Sequence, residues 1–211
     1  MAEHKGLPME AFATQAKFRV WLRKHHKREE GLWVMFAKKN SGVTTTTYVE
    51  AREEAIAWGW IDGLKNGYDE TYYLLRFTPR RARSKWSLIN REIAEGLIER
   101  GGMHAPGLAQ VEAAREDGRW ERAYPSASKM TVPPALKEAL AASPMARAAF
   151  EALDGANRYS ILFGVWDAAT DSTRARRVKK YVDMLERGDT PHPPRAATKK
   201  VAKKTTRRKK T

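Results

Sequence analysis

A run of cations beside an aromatic residue, at residues 78–87, is the part of the sequence whose residue types most suggest ligand binding. It reads Thr-Pro-Arg-Arg-Ala-Arg-Ser-Lys-Trp-Ser and leads into a segment with helical periodicity. Ser84 is predicted to cap that helix, whose free amides favour an anion. Arg80 or Arg83 can clamp a phosphate or a carboxylate with two N–H groups, and Trp86 offers a flat face to a base or a ring. The competing interpretation is a solvated loop, with Trp86 at the start of the core face of the helix.

The hexapeptide Trp-Gly-Trp-Ile-Asp-Gly at residues 58–63 also combines residues that can form a site. Its two Trp side chains can wall a pocket in which Asp62 is an acceptor or a general base, given a partner such as Arg80 or Asn90. The alternative, which we favour, places both Trp side chains in the core at a corner between a helix and a strand, with Asp62 bonded to turn amides. No catalytic residue is assigned. The candidate ligand-binding residues are Trp60, Asp62, Arg80, Arg83, Ser84, Trp86 and Asn90.

The end of the chain carries about half of its excess positive charge. The formal charge is +15, and residues 189–211 hold nine Lys and Arg against one acidic residue, a local net charge of +8. Pro, Thr and Ala dominate the rest of this segment, so burial cannot offset the entropy of ordering it and we expect a disordered tail. Non-specific contact with nucleic acid or another polyanion is predicted, because each bound cation releases counterions, and a solubilising extension is the alternative. The tail cations are Arg195, Lys199, Lys200, Lys203, Lys204, Arg207, Arg208, Lys209 and Lys210.

The composition excludes several kinds of site. The sequence has no Cys, which excludes disulfides, thiolate nucleophiles and Cys-ligated metals. His25 and His26 are adjacent rather than on one helix face and lie among Lys and Arg, so we expect no metal and no cofactor. The G-x-S-x-G, P-loop and G-x-G-x-x-G motifs are missing, which removes the commonest hydrolase and nucleotide-binding functions. No apolar run approaches the roughly 20 residues of a membrane helix, and the first residues lack the apolar region of a signal peptide, so we expect a cytoplasmic protein without membrane insertion.

Hydrophobic periodicity and turn residues predict the elements of the first 124 residues. Thr47 and Glu50 have the spacing of a capping box, which predicts that a helix begins there. A tight turn at residues 65–67 followed by an aromatic strand predicts a hairpin. We predict helices over residues 9–27, 47–58, 85–100 and 106–118, and strands over residues 32–37 and 70–77.

The second part of the chain is predicted to be helical. Residues 125–132 show little periodicity and contain Pro and three Ser or Thr, which indicates a linker. Pro134 and Pro144 suit the first turns of helices, and a last helix is expected over residues 173–187. We therefore predict an α+β fold with three parts: a module over residues 1–124 with a small, mostly antiparallel sheet packed by helices, an all-helical module over residues 133–188, and the disordered tail over residues 189–211.

These motifs resemble those of the YdeI/OmpD-associated family of bacterial proteins over about residues 10–188. The N-terminal resemblance lies in Trp-Gly-Trp-Ile-Asp-Gly at residues 58–63, Phe-Thr-Pro-Arg at 77–80, and the Ser, Trp-Ser and Asn residues within 84–90. Thr-Arg-Ala-Arg-Arg at residues 173–177 is similar to the helical part of the family, which is named for bacteriocin protection. Ala169 is a departure, because the family pattern has a Lys shortly before that stretch.

The resemblance implies a loose connection to resistance against antimicrobial peptides and bacteriocins, to stress, and to an outer-membrane porin, and it brings no catalytic residues. Our leading hypothesis is a non-enzymatic, cytosolic stress or bacteriocin-protection-type binding protein whose tail contacts nucleic acid or another polyanion. The alternative is an enzyme or a sensor that binds a small anionic ligand in the region of residues 58–90. A third hypothesis is that the helical module docks a protein partner through Arg174, Arg176 and Arg177. A site shared by the family would comprise Trp60, Asp62, Arg80, Ser84, Trp86 and Asn90.

Overall fold

The computed structural model describes residues 2–28 and 30–192. The nine cations of the predicted polyanion-binding tail, and residues 193–211 of the segment predicted to be disordered, lie outside the described residues. The chain divides into two compact units, Met1–Ser126 and Ala127–Thr211.

The N-terminal unit is built on a five-stranded sheet. Its strands are β1 (Glu3–His4), β2 (Leu7–Ala11), β3 (Leu32–Ala37), β4 (Trp60–Gly67) and β5 (Tyr72–Pro79). They lie in the order β1-β2-β3-β5-β4. Only the β2–β3 pair is parallel among the strand pairs of the described chain, and the other three are antiparallel. The predicted α+β class with a mostly antiparallel sheet is therefore confirmed.

Four helices cover one face of this sheet: α1 (Gln15–His25), α2 (Tyr48–Ala57), α3 (Leu88–Glu99) and α4 (Ala105–Glu116). Side chains alternate along a strand, so Leu32, Val34 and Phe36 of β3 join the helices in the main core. Trp33, between them, packs with Met9 and Leu74 in a separate cluster. The predicted strand over residues 32–37 is thus confirmed, and its uninterrupted apolar run reflects burial on both faces.

The first predicted helix is wrong over residues 9–14. Residues 7–11 form β2 instead, which pairs in parallel with β3. Helix α1 begins only after Thr14, whose hydroxyl accepts a hydrogen bond from the amide of Lys17 at 3.3 Å. Pairing with a distant strand decides the structure of this segment, and local periodicity does not report such pairing.

The predicted turn at residues 65–67 is also wrong, because these residues belong to β4. The hairpin turns at residues 68–71. There the Oδ1 atom of Asp69 accepts hydrogen bonds from the amides of Thr71 at 2.8 Å and Tyr72 at 2.6 Å. An Asx turn therefore closes the hairpin directly after the Asn-Gly pair that suggested it.

Helix α3 begins at residue 88 rather than residue 85, so the predicted capping role of Ser84 is wrong. The N-cap is Ser87, whose Oγ accepts a hydrogen bond from the amide of Asn90 at 3.1 Å. Ser84 closes a turn instead, with its Oγ accepting from the amide of Arg81 at 2.9 Å. Both serines precede an apolar run, and the sequence does not distinguish them.

The predicted capping box at the start of α2 is confirmed. The Thr47 hydroxyl accepts a hydrogen bond from the amide of Glu50 at 3.3 Å, and the Glu50 carboxylate accepts from the amide of Thr47 at 2.7 Å. The hydrogen bonds from Thr47 lower the pKa of the Glu50 carboxyl, because they favour its charged form.

Replacement of Thr47 tests this cap. Thr47→Ala is expected to lower the free energy of unfolding of the N-terminal unit by about 1 kcal/mol, because the amide of Glu50 loses the hydroxyl that accepts its hydrogen bond. Thr44→Ala is the matched control, since Thr44 is exposed in the same Thr run. Urea denaturation followed by tryptophan fluorescence gives both values. Equal stability of the two variants would contradict the capping role.

The C-terminal unit is all-helical, as predicted. It comprises α5 (Pro134–Ala142), α6 (Pro144–Glu151), α7 (Gly155–Trp166) and α8 (Asp171–Glu186), and α8 packs against each of the other three. Pro134 and Pro144 occupy first turns, as expected. No helix within the described residues combines the length and the apolar character needed to cross a membrane. The core of this unit is formed by Leu136, Leu140, Phe150, Ile161, Leu162, Val165, Val178 and Leu185.

Candidate functional site

The β4–β5 pairing brings the two predicted motifs together. In this antiparallel register Trp60 lies opposite Pro79 and Asp62 lies opposite Phe77. The amide of Arg80 then donates to the carbonyl oxygen of Gly59 at 2.9 Å. Residues that are far apart in sequence therefore meet at one end of the hairpin, where the charge of Asp62 acts on Arg80.

The side chain of Arg80 is buried at this end of the hairpin, with only part of its guanidinium hydrogen-bonded. Only 6% of Arg80 is exposed, and its guanidinium carbon lies 3.6 Å from the centroid of the Trp86 ring, a cation–π contact. Its Nη1 donates to the carbonyl oxygen of Lys85 at 3.2 Å. Its other two nitrogens, Nε and Nη2, are buried and have no hydrogen-bond partner.

The surroundings of Arg80 make its charge costly. Burial lowers the pKa of the guanidinium to about 10, against the opposing effects of Tyr124 and Asp62, and the nearby Arg119 lowers it as well. The group is still charged at pH 7. A buried charge of this kind is normally paired with a carboxylate or fully hydrogen-bonded.

A second segment holds the loop that carries Trp86. The amide of Tyr124 donates to the carbonyl oxygen of Trp86 at 2.9 Å, and the carbonyl oxygen of Tyr124 accepts from the amide of Leu88 at 2.8 Å. Arg119 donates through Nη1 to the carbonyl oxygen of Ser84 at 2.9 Å. The rings of Trp86 and Trp120 meet edge to face at 4.9 Å. These contacts fix the Trp86 ring beneath the guanidinium.

The charge of Asp62 acts on two tyrosines. The Tyr48 hydroxyl, from the start of α2, donates to Oδ2 of Asp62 at 2.9 Å. Burial raises the pKa of Tyr48 to about 12, and the charge of Asp62 contributes. Burial and the charge of Asp62 also raise the pKa of Tyr124, whereas Arg80 lowers it. Both hydroxyls therefore stay protonated at neutral pH, and Tyr48 acts as a donor to the Asp62 carboxylate.

The other predicted ligand-binding residues are distributed around this cluster. Trp60 is fully buried, and its indole N–H donates to the carbonyl oxygen of His26 at 2.9 Å, so it packs in the core. Asn90 is buried on α3, where its amide bonds to Ser87. Arg83 is exposed, on the loop between β5 and α3. The structure thus brings Arg80 into contact with Trp86 and near Asp62, and it does not bring Trp60 or Arg83 to the guanidinium.

Tyr48, Arg119 and Tyr124 were not among the predicted site residues. Tyr48 is the first helical residue after the N-cap Thr47, so the sequence predicts its place on α2 but not its contact with β4. Arg119 and Tyr124 lie in a segment that has no regular periodicity, and nothing local points to Trp86. Within residues 2–28 and 30–192, no group of three or more His, Asp or Glu side chains is placed to hold a metal ion.

Two family models match different parts of the chain. Residues 10–110, which contain the Arg80 cluster apart from Arg119 and Tyr124, match "Domain of unknown function (DUF8412)". Residues 129–188 match "Bacteriocin-protection, YdeI or OmpD-Associated". Residues 129–188 thus form a domain of the YdeI/OmpD-associated type. No curated protein and no solved structure matches the chain.

The match confirms the family predicted from the sequence and locates it in the C-terminal unit. The Trp-Gly-Trp-Ile-Asp-Gly and Phe-Thr-Pro-Arg motifs that suggested the family lie outside the YdeI/OmpD-associated domain, in the other match. Ala169, the departure from the family pattern, is exposed just before α8.

The arginines of α8 in the YdeI/OmpD-associated domain differ in their contacts. Arg174 pairs with Asp171 on its own helix. Arg177 donates to the carbonyl oxygen of Gly164 at 2.6 Å and lies 3.6 Å from Oδ2 of Asp167. Arg176 is exposed. Arg174 and Arg177 therefore bind within their own unit, and the docking of a protein partner through these arginines stays a prediction.

Proposed function

We propose that the chain is a bacteriocin-protection-type binding protein whose N-terminal unit takes a small oxyanion at Arg80. The family match supports a bacteriocin-protection-type function at a coarse level. The proposal of an oxyanion site rests on one observation: two guanidinium nitrogens of Arg80, Nε and Nη2, are buried and have no hydrogen-bond partner. A buried donor without an acceptor costs free energy, and more so when it is charged, so an acceptor is expected at this place.

The two nitrogens define the kind of ligand. Nε and Nη2 form one edge of the guanidinium fork, which matches two oxygens of a carboxylate or a phosphate. Arg19 in the same unit shows this edge bound to a carboxylate: its Nη2 lies 2.6 Å from Oε1 of Glu54, and its Nε lies 2.9 Å from Oε1 and 3.1 Å from Oε2. Arg80 presents the same edge without such a carboxylate, so we expect an oxyanion from solution to take that position.

Access to this edge requires movement. Nε and Nη2 of Arg80 are shielded from solvent, whereas Arg81, Ala82, Arg83 and Lys85 in the loop above are exposed. We expect that an anion enters when the exposed loop of residues 81–85 moves away from the guanidinium. The hydrogen bond from Tyr48 fixes the Asp62 carboxylate as a hydrogen-bond acceptor. This arrangement favours a role for Asp62 in orienting the ligand, or a proton on it, over a role in covalent chemistry.

Anion-dependent thermal stability tests this function. If phosphate binds with a Kd of about 1 mM, 100 mM phosphate stabilises the N-terminal unit by about 2.7 kcal/mol, which raises its Tm by about 8 °C. Arg80→Gln is expected to abolish the shift. Arg83→Gln, an exposed cation on the same loop, is the matched control and keeps it. Chloride at equal ionic strength controls for screening, and acetate tests the carboxylate form of the ligand.

Three results would contradict the proposal: no shift beyond that of chloride, an undiminished shift in Arg80→Gln, or an equal loss in Arg83→Gln. Circular dichroism at 20 °C verifies that each variant is folded. Arg80→Lys adds a second test, because it keeps the charge and loses the two-nitrogen edge, so its shift is expected to fall to a fraction of the normal value.

A second function, contact with nucleic acid or another polyanion, is supported by the sequence of the tail. Nine cations stand against one acid in residues 189–211. Contact of this kind needs no folded structure, because it derives from counterion release, and it would be insensitive to DNA sequence. It is compatible with anion binding at Arg80, and the two functions are separable by truncation of the tail.

A further inference from the structure

A cleft in the C-terminal unit has the composition of a binding site and belongs to neither function above. It lies among α5, α6 and α7 and has a volume of about 510 Å³, within the range of small-molecule sites. Val132, Leu140 and Phe150 form its apolar part. Leu140 and Phe150 are themselves core residues, so this floor is rigid.

Three cations line the cleft, one from each helix. Lys137 of α5 and Arg147 of α6 are exposed, and Arg158 of α7 is partly buried. The guanidinium carbon of Arg158 lies 4.5 Å from the centroid of the Phe150 ring, which holds this charge against the apolar floor. Glu151 is the one acidic residue of the lining.

These cations are not neutralised within the described chain. Within residues 127–192, the described part of the C-terminal unit, every ion pair involves other cations. These are Arg174, Arg177, Lys179 and Arg187, each paired with an Asp. With Glu151 included, the lining carries a net charge of +2. An apolar floor beside uncompensated cations is complementary to a molecule with an apolar body and an anionic end.

We propose that this cleft binds a small amphipathic carboxylate, a molecule with an unbranched or aromatic apolar body and one carboxylate. The apolar body lies on Val132, Leu140 and Phe150. The carboxylate is held by Arg158, with Lys137 and Arg147 closing over it from the neighbouring helices. The size of the cleft favours a small molecule over a peptide helix, which needs a long groove.

Titration of the full chain with octanoate tests the proposal, with amide shifts in ¹H–¹⁵N spectra as the readout. We expect saturable shifts at amides of α5, α6 and α7 that line the cleft. Butyrate has the same charge with four fewer methylene groups, and 1-octanol has the same chain without the charge. Each is expected to bind at least about tenfold more weakly than octanoate, because the site uses both the apolar body and the carboxylate.

Charge reversal gives the matched variants. Lys137→Glu with Arg147→Glu is expected to weaken octanoate binding by about tenfold or more. Arg176→Glu with Lys180→Glu, on exposed positions of α8 in the same unit, makes the same charge change and is expected to weaken it less than twofold. Ala141→Glu is the alternative variant if the double variant at Lys137 and Arg147 fails to fold. Ala141 is an exposed residue of the lining, and a Glu there repels the carboxylate of the ligand, so it is also expected to weaken octanoate binding by about tenfold or more.

The proposal is overturned if octanoate produces no saturable shifts at the cleft, if 1-octanol binds as tightly, or if the α8 pair weakens binding as much as the cleft pair. An acidic peptide that binds at the cleft when octanoate does not would also overturn it, and would make the cleft a protein-docking surface. Shifts confined to the N-terminal unit would assign octanoate to Arg80 and likewise contradict a site among α5, α6 and α7.

Discussion

Truncation of the chain after Gly188 is expected to remove most of its salt-dependent affinity for duplex DNA. If six or more of the nine tail cations contact phosphates, the intact chain loses about 10³-fold or more in affinity between 50 mM and 200 mM salt. The truncated chain has a net charge of +7 spread over folded units, so we expect a far weaker dependence. The slopes of log affinity against log salt are expected to differ by several units, and by at most about eight for nine cations.

Fluorescence anisotropy with a labelled duplex across a salt series measures both slopes. A full-length variant with all nine tail cations replaced by Gln is the matched control, because it keeps the length of the tail and removes its charge. It is expected to behave like the truncated chain. If the truncated chain binds DNA as tightly and with the same slope, the folded part contacts the polyanion and the tail function is wrong.

A methyl group at Gly107 is expected to destabilise the N-terminal unit strongly. An ideal Cβ at this position lies 2.4 Å from the carbonyl oxygen of Ala57, at the contact of α4 with the end of α2. That oxygen also accepts from the amide of His104 at 3.0 Å, so it cannot move freely. We expect Gly107→Ala to destabilise the N-terminal unit by about 2 to 3 kcal/mol through overpacking.

Gly96 provides the matched control, because the same substitution there is expected to have the opposite sign. It lies inside α3, and its added Cβ meets only the end of the flexible Arg100 side chain, at 3.3 Å. Gly96→Ala is expected to stabilise by about 0.5 to 1 kcal/mol through helix propensity. Tryptophan fluorescence in urea reports the N-terminal unit, which holds six of the seven Trp residues. Equal effects at the two positions would contradict the close packing of α4 on α2.

Local signals predicted those elements whose ends are fixed by their own residues. The capping box at Thr47 and Glu50 fixes the start of α2, and first-turn prolines fix α5 and α6. The apolar run of β3 is bounded by Gly31 and a polar turn, which fixes its length. In each case the hydrogen bond or the steric restriction lies within four residues, so the sequence contains the whole signal.

Elements that depend on distant partners were predicted wrongly. Strand β2 is held by β3, more than 20 residues later, and the periodicity of residues 9–14 does not reveal this. Residues 65–67 carry turn-type residues, yet pairing with β5 keeps them in a strand. The choice of Ser87 over Ser84 as the N-cap follows the contact of Tyr124 with Trp86 and Leu88, which is not local.

The candidate site was predicted in part for the same reason. Arg80 and Trp86 are close in sequence and carry the chemistry of an anion site by residue type, and the structure places them in contact. The register of the β4–β5 hairpin places Arg80 near Asp62. Because the turn was predicted at the wrong residues, the sequence did not predict this register. Tyr48 and Tyr124 come from other elements. The unpartnered nitrogens of Arg80, which support the proposed function, are a property of the packed fold and have no counterpart in the sequence.

The most direct test of anion binding at Arg80 is the ¹H–¹⁵N signal of its Nε–H group during a phosphate titration. Loss of one arginine Nε signal in Arg80→Lys assigns it. We expect this signal to shift in a saturable manner, with the same Kd as the thermal shift, while the Nε signal of Arg19, already paired with Glu54, stays in place. An Arg80 signal that does not move at 100 mM phosphate, or that moves no more with phosphate than with chloride, would contradict an oxyanion site at this guanidinium.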